Sequence, residues 1–213
     1  MFSDHIDYYY QAVKPNFEEY FELSKTINEV GGNQLPDAAM KSAGSLFHFR
    51  DHLLSLYGDS FSRKYVASLC SDFDIVGDVY NSTKHKEISR KERLIQGSTS
   101  ILKGFFVSRF KDEMGIYQVH RPAVLIKPLK GKEFDFLKPV TNVYNFWTKF
   151  MYDKGLLEKV DYYTFEGDSP VSRQSVPKSL DGMKTEMPRY KKAEDLLLII
   201  RTYDYINNKF IYE

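Results

Sequence analysis

The chain has little of what marks the easily named classes. One cysteine among 213 residues, Cys70, excludes an internal disulfide and any zinc site built on several thiolates. Its expected role is that of a small packed apolar side chain. No apolar run approaches the ~20 residues that cross a bilayer, so no membrane partner is expected. The opening MFSDHIDYYYQ has no basic stretch followed by an apolar one, so no secretory leader is predicted and the expected location is cytoplasmic. Charge of one sign is also missing: 30 basic against 29 acidic residues leave +1, which does not announce a broad polyanion-binding surface. Glycine-rich phosphate loops, zinc patterns and nucleophile elbows are absent, so no cofactor and no metal is expected.

Aromatic residues are abundant, with 16 Tyr and 16 Phe but a single Trp. An apolar body with a polar tip suits half-buried faces, interfaces and base-stacking sites alike. At this length one large domain or two small ones can each bury a core.

Hydrophobic spacing changes character along the chain. Apolar positions at three- and four-residue intervals predict a helix from Ser3 or Asp4 towards Gly31-Gly32, kinked or divided at Pro15. A second helix is predicted from Pro36-Asp37 to about Tyr57, closed by Gly58-Asp59. A third stretch runs from Ser60 to Cys70, and a helix capped by Ser71 or Asp72 reaches about Lys86. After Gly97, residues 104–110, 116–127 and 133–137 read as short strands, and 141–153 as a helix. Residues 166–190, rich in Gly, Pro, Ser and charge, are expected to form a loop. Residues 196–205 and 210–212 are expected to close the chain as a hairpin. The fold class is therefore α+β: an N-terminal helical bundle over residues 1–96, then a strand-rich α+β extension over 97–213. That extension is expected to be a small antiparallel sheet with one packed helix, lying on the bundle.

Chemistry concentrates in two clusters, His48-Phe49-Arg50-Asp51-His52 and Asp78-Val79-Tyr80-Asn81-Ser82-Thr83-Lys84-His85. At 100° per residue, His48, Asp51 and His52 share one helical face, opposite Leu46, Phe49 and Leu53. The same geometry groups Asp78, Asn81 and His85. Imidazoles beside Arg, Asp, Asn and Lys suit proton transfer and phosphate handling. A solvated helix face, a polar dimer interface and a metal site all compete with that use. His48 and His52 stand at the i, i+4 spacing that lets two imidazoles share an ion, with Asp51, Asp78 or His85 as a third ligand. A basic run from Lys84-His85-Lys86 onwards either complements a helix C-terminus or meets phosphate. Phe105, Phe106, Phe110 and Tyr117 are candidates for base stacking as well as for core.

The RDH helix followed by D-x-x-N-x-x-K-H resembles the HEPN-type helical domains of bacterial proteins, over about residues 36–96. That family forms four- or five-helix bundles, commonly dimerises, and often cleaves RNA without metal as a toxin or antiviral effector. Its motif is an arginine, a polar residue, and a histidine five to seven positions beyond the arginine. Asn81 and His85 match the last two, whereas Tyr80 stands in the arginine position. The resemblance implies an endoribonuclease with His85, Asn81, Arg50 and His52 as catalytic residues. Lys84, Lys86, His48, Asp51 and Asp78 would hold substrate, with RNA and a second copy of the chain as partners. With Tyr80 in place of arginine, Arg50 or Lys84 would have to supply the positive charge. The alternative is a non-catalytic interaction module that keeps the bundle.

Overall fold

The computed structural model describes residues 4–25, 34–58, 60–84, 94, 95, 97–165, 170 and 196–212. The first helical stretch begins at α1 (His5–Tyr8), capped by the Asp4 side chain, which accepts from the amides of Ile6 and Asp7. It continues through a π-helical turn, Tyr9–Val13, into α2 (Lys14–Lys25). The predicted break at Pro15 is thus replaced by a register change. Proline lacks an N–H and its ring crowds the carbonyl four residues back. A π turn just before it, in which the Lys14 amide reaches Tyr9 O, lets the helix run on. Glycines 31 and 32 lie outside the described residues.

Helix α3 (Gln34–Tyr57) is the axis of the bundle. Its N-terminal half is faced with small buried residues, Ala38, Ala39, Ser42, Ala43 and Gly44, and its C-terminal half with Leu46, Phe49 and Leu53. Gly58 ends it at φ 67°, a left-handed conformation that glycine adopts without a Cβ clash. Helix α4 (Arg63–Leu69) follows, with the Ser62 hydroxyl accepting from the Tyr65 amide. Helix α5 (Asp72–Lys84) has Asp72 and Asp74 in its first turn, where negative charge favours the helix dipole. Two glycines let α3 and α5 approach closely. A Cβ on Gly44 would meet the Tyr80 ring at 2.6 Å, and one on Gly77 would collide with Phe47.

The strands β1 (Ile101–Asp112) and β2 (Gly115–Ile126) form a long hairpin, and β3 (Phe134–Asp135) is a two-residue edge. Helix α6 (Leu137–Asp153) starts four residues earlier than its spacing predicted, because Asp135 Oδ1 accepts the Leu137 amide at 2.8 Å. The last hairpin, β4 (Leu196–Asp204) and β5 (Lys209–Tyr212), is antiparallel as expected. The sheet as a whole is not antiparallel. Its order is β3-β2-β1-β4-β5, and β4 runs parallel to β1, with Lys103 opposite Leu196 and Arg109 opposite Thr202. Local strand pattern says nothing about a neighbour's direction when β2, β3 and α6 intervene between the two strands. The architecture is α+β with a mixed sheet.

One core joins the helices to the base of the sheet. Trp147 of α6 is fully buried and lies edge-on to Phe49 and Phe73, and its Nε1 donates to Leu46 O at 2.9 Å. Val124 and Ile126 of β2 belong to the same cluster. Helix α6 is therefore strand-neighbouring in sequence but bundle-forming in packing. On the α2 side, Phe17 stacks on Tyr144 at 4.0 Å, and Tyr9 shares its hydroxyl with Tyr144 and Thr148.

Candidate functional site

The polar face of α3 comes out beside α1. The spacing that seats Phe49 and Leu53 in the core turns His48, Asp51 and His52 outward, and α1 crosses them with Tyr8. His48 Nδ1 and Asp51 Oδ2 are 2.9 Å apart, and a carboxylate acceptor makes the imidazole the donor. Arg50 reaches sideways to the other oxygen, Nε donating to Asp51 Oδ1 at 3.1 Å and Nη2 closer still. Asp51 thus receives hydrogen bonds from both neighbours. Burial pushes its carboxyl up, and the bonds from His48 and Arg50 outweigh that and hold it below its ordinary value.

His52 lies flat against Tyr8, ring centroids 3.8 Å apart and planes 16° from parallel. Burial lowers its pKa; Asp51 works the other way, while His48 and His5 add to the fall. The neutral form of the imidazole is therefore favoured. Tyr8 moves in the opposite sense, pushed up to about 12 by burial, with Tyr80 and Asp51 contributing. His5 stands one turn before Tyr8, and its Nε2 is buried with no partner among the described residues. Tyr80 of α5 meets the His48 ring edge-on at 5.2 Å. These contacts make one half-exposed cluster in which the His48 and Asp51 side chains keep 40% and 41% of their surface open, and Arg50 20%. It holds an imidazole of lowered basicity, a second imidazole oriented by a carboxylate, and a guanidinium.

Of the sequence-predicted site residues, His48, Arg50, Asp51 and His52 come together. Asn81 is half-buried on α5. Asp78 has other contacts: it is 5% exposed, accepts from Arg63 Nη2 at 2.9 Å and from the Leu94 amide at 3.1 Å. Arg63 also grips Asp74 at 2.5 Å. Lys84 ends α5. His85 and Lys86 lie outside the described residues. Among the described residues no three His, Cys, Asp or Glu side chains gather as metal ligands would. No described helix is long and apolar enough to cross a membrane. Cys70 is half-buried, and burial raises its thiol. Phe106 and Phe110 of the base-stacking candidates are buried, Phe110 stacked on Tyr117.

Spacing alone missed Tyr8 and His5, and marked Tyr80 only as the residue in the arginine position. The first two carry a trace in the sequence, since positions 5 and 8 share a helical face three residues apart. Nothing local says that this face lies against residue 52.

No family model matches the chain, and neither a curated protein nor a solved structure does.

Proposed function

We infer that the chain is a HEPN-like, metal-independent endoribonuclease of bacterial defence or toxin type, working on RNA as a homodimer in the cytoplasm. The observation that supports this is the pairing, on one face of α3, of His52 with depressed basicity and His48 oriented by Asp51. Cleavage of a ribose phosphodiester needs a base, an acid and positive charge near the phosphate. His52 accepts the proton of the 2′-hydroxyl. That oxygen bonds to phosphorus, the bond from phosphorus to the 5′ oxygen breaks, and His48 Nε2 delivers a proton to the leaving oxygen. Asp51 compensates the charge while the His48 ring carries both protons. Arg50 uses Nε and Nη2 on Asp51, and its remaining donors face the phosphate's negative charge. The resemblance assigns Asn81 and His85 to the family's motif, and Lys84 and Lys86 to phosphate contacts. Arg50 takes the place of the arginine that Tyr80 replaces.

The stacking of His52 on Tyr8 favours a second reading, a non-catalytic interaction module in which the rings serve packing. Incubating the protein with single-stranded RNA in excess chelator separates the two. The nuclease reading predicts products ending in a 2′,3′-cyclic phosphate, lost in His52→Ala and His48→Ala. Intact RNA, or cleavage unchanged in both variants, refutes it. Sedimentation velocity tests the dimer.

A further inference from the structure

Where α2 meets the sheet, three buried polar atoms have no hydrogen-bond partner: the Tyr20 hydroxyl, and Nε and Nη1 of Arg121. Tyr20 comes from α2 and is 1% exposed, and Arg121 comes from β2. Arg121 gives Nη2 to Asp135 Oδ2, while the other oxygen of Asp135 takes the Leu137 amide at 2.8 Å. The guanidinium lies 4.9 Å from the Phe106 ring and 5.5 Å from that of Phe165. Both rings attract its charge but offer no acceptor oxygen. Tyr20 is near enough to feel both charged groups: burial holds its hydroxyl well above the ordinary value, Asp135 adds to the rise and Arg121 opposes it. It nevertheless bonds to neither. A cleft of about 260 Å³ has Phe106, Asp135 and Phe165 in its wall, so solvent reaches the other side of the residues that surround Arg121.

A buried hydroxyl or guanidinium N–H without a partner costs at least as much as a lost hydrogen bond, and folded proteins pair such groups with protein or with water. Charge limits what can pair these. An anion would meet the Asp135 carboxylate, and a cation would meet Arg121. A small neutral molecule that both donates and accepts meets neither penalty, and internal waters make about three hydrogen bonds to groups of this kind. We propose that an internal water is bound between α2 and β2, accepting from an Arg121 N–H and hydrogen-bonded to the Tyr20 hydroxyl. It forms a polar tie between bundle and sheet beside the apolar one made by Val124 and Ile126, which share a core cluster with Tyr20. This site is independent of the nuclease reading.

Tyr20→Phe in the full chain tests it, because the bonded and unbonded cases differ in sign. A hydroxyl bonded to water stabilises the fold, so its removal should lower the folding equilibrium constant about fivefold in denaturant titrations. A hydroxyl buried without a partner destabilises the fold, so a constant that is unchanged or raised overturns the proposal. Magnetic relaxation dispersion of the water oxygen should count fewer long-lived waters in the variant than in the wild type. Lost stability with an unchanged count overturns the proposal as well, since a direct bond from Tyr20 to Arg121 or Asp135 would produce it. Wild-type stability should be equal in chloride and in fluoride at one ionic strength, and stabilisation specific to chloride would assign the place to an anion instead. A crystal structure of the wild type should show an ordered oxygen within about 3.2 Å of Tyr20 Oη and of Arg121 Nε or Nη1, and a site without one overturns the proposal whatever the variant does.

Discussion

Asp78→Ala distinguishes a structural carboxylate from a ligand-binding one. The Asp78 side chain is 6% exposed and takes two hydrogen bonds, from Arg63 Nη2 at 2.9 Å and from the Leu94 amide at 3.1 Å. Together they tie α5 to α4 and to the segment leading into β1. Hydrogen bonds to a charged group contribute roughly 1.5–3 kcal/mol each, and a buried amide left without its partner costs further. Against that, Arg63 keeps Asp74 at 2.5 Å and is 23% exposed, so its charge is not stranded and solvent screens part of the loss. The lower end applies to both bonds, and the loss is about 3 kcal/mol. At this chain length 1 kcal/mol moves the melting temperature by ~2–4 °C, so a fall of about 6–12 °C is expected. Far-ultraviolet circular dichroism on heating, with a near-ultraviolet probe to check for a single transition, measures it. A surface carboxylate held in reserve for substrate would cost less than about 0.5 kcal/mol on removal. A variant that melts with the wild type therefore refutes the structural role.

Other perturbations have equally definite outcomes. His52 and His120 both have pKa values lowered from 6.5, mainly by burial, so the unfolded chain takes up protons first. Acidification from about pH 6.5 downwards through the depressed folded values should therefore lower stability, a slope that denaturant titrations at several pH values should find and that Tyr8→Leu should reduce. In the same variant the nuclear magnetic resonance titration midpoint of His52 should rise towards its ordinary value, because the covering ring has gone; an unmoved midpoint contradicts the stacking. Gly44→Ala should push the Tyr80 ring away from His48 and destabilise the fold by about 1–3 kcal/mol, read from the His48 ring resonances and from denaturant unfolding. Trp147→Ala should cost about 3–5 kcal/mol, since it empties the centre shared by Phe49, Phe61 and Phe73 and leaves the Leu46 carbonyl without its second donor.

What was legible in the sequence is what local chemistry decides. Gly58 at positive φ stops α3 where a Gly-Asp pair predicted, and the outward turn of His48, Asp51 and His52 follows from the core face of the same helix. Features decided at a distance were not legible. Pro15 reads as a breaker because proline breaks α-helices, but a π turn one step earlier absorbs it. Residues 196–204 carry no mark of the parallel partner that waits at β1, almost a hundred positions upstream. Asp78 shares a helical face with Asn81 on a wheel, and only the arrival of Arg63 from α4 makes it an internal carboxylate. Tyr8 enters the site through the crossing of α1 over α3, which no periodicity records.

The central claim is that His48 and His52 act as one acid–base unit. It is tested most directly by the RNA cleavage rates of His48→Gln, His52→Gln and the double variant, each checked for unchanged melting. Each single substitution should lower the rate by about 10²–10⁴-fold. The double variant should fall little further than either single one, because members of a catalytic unit do not contribute additively. Wild-type cleavage in either folded single variant would contradict the account.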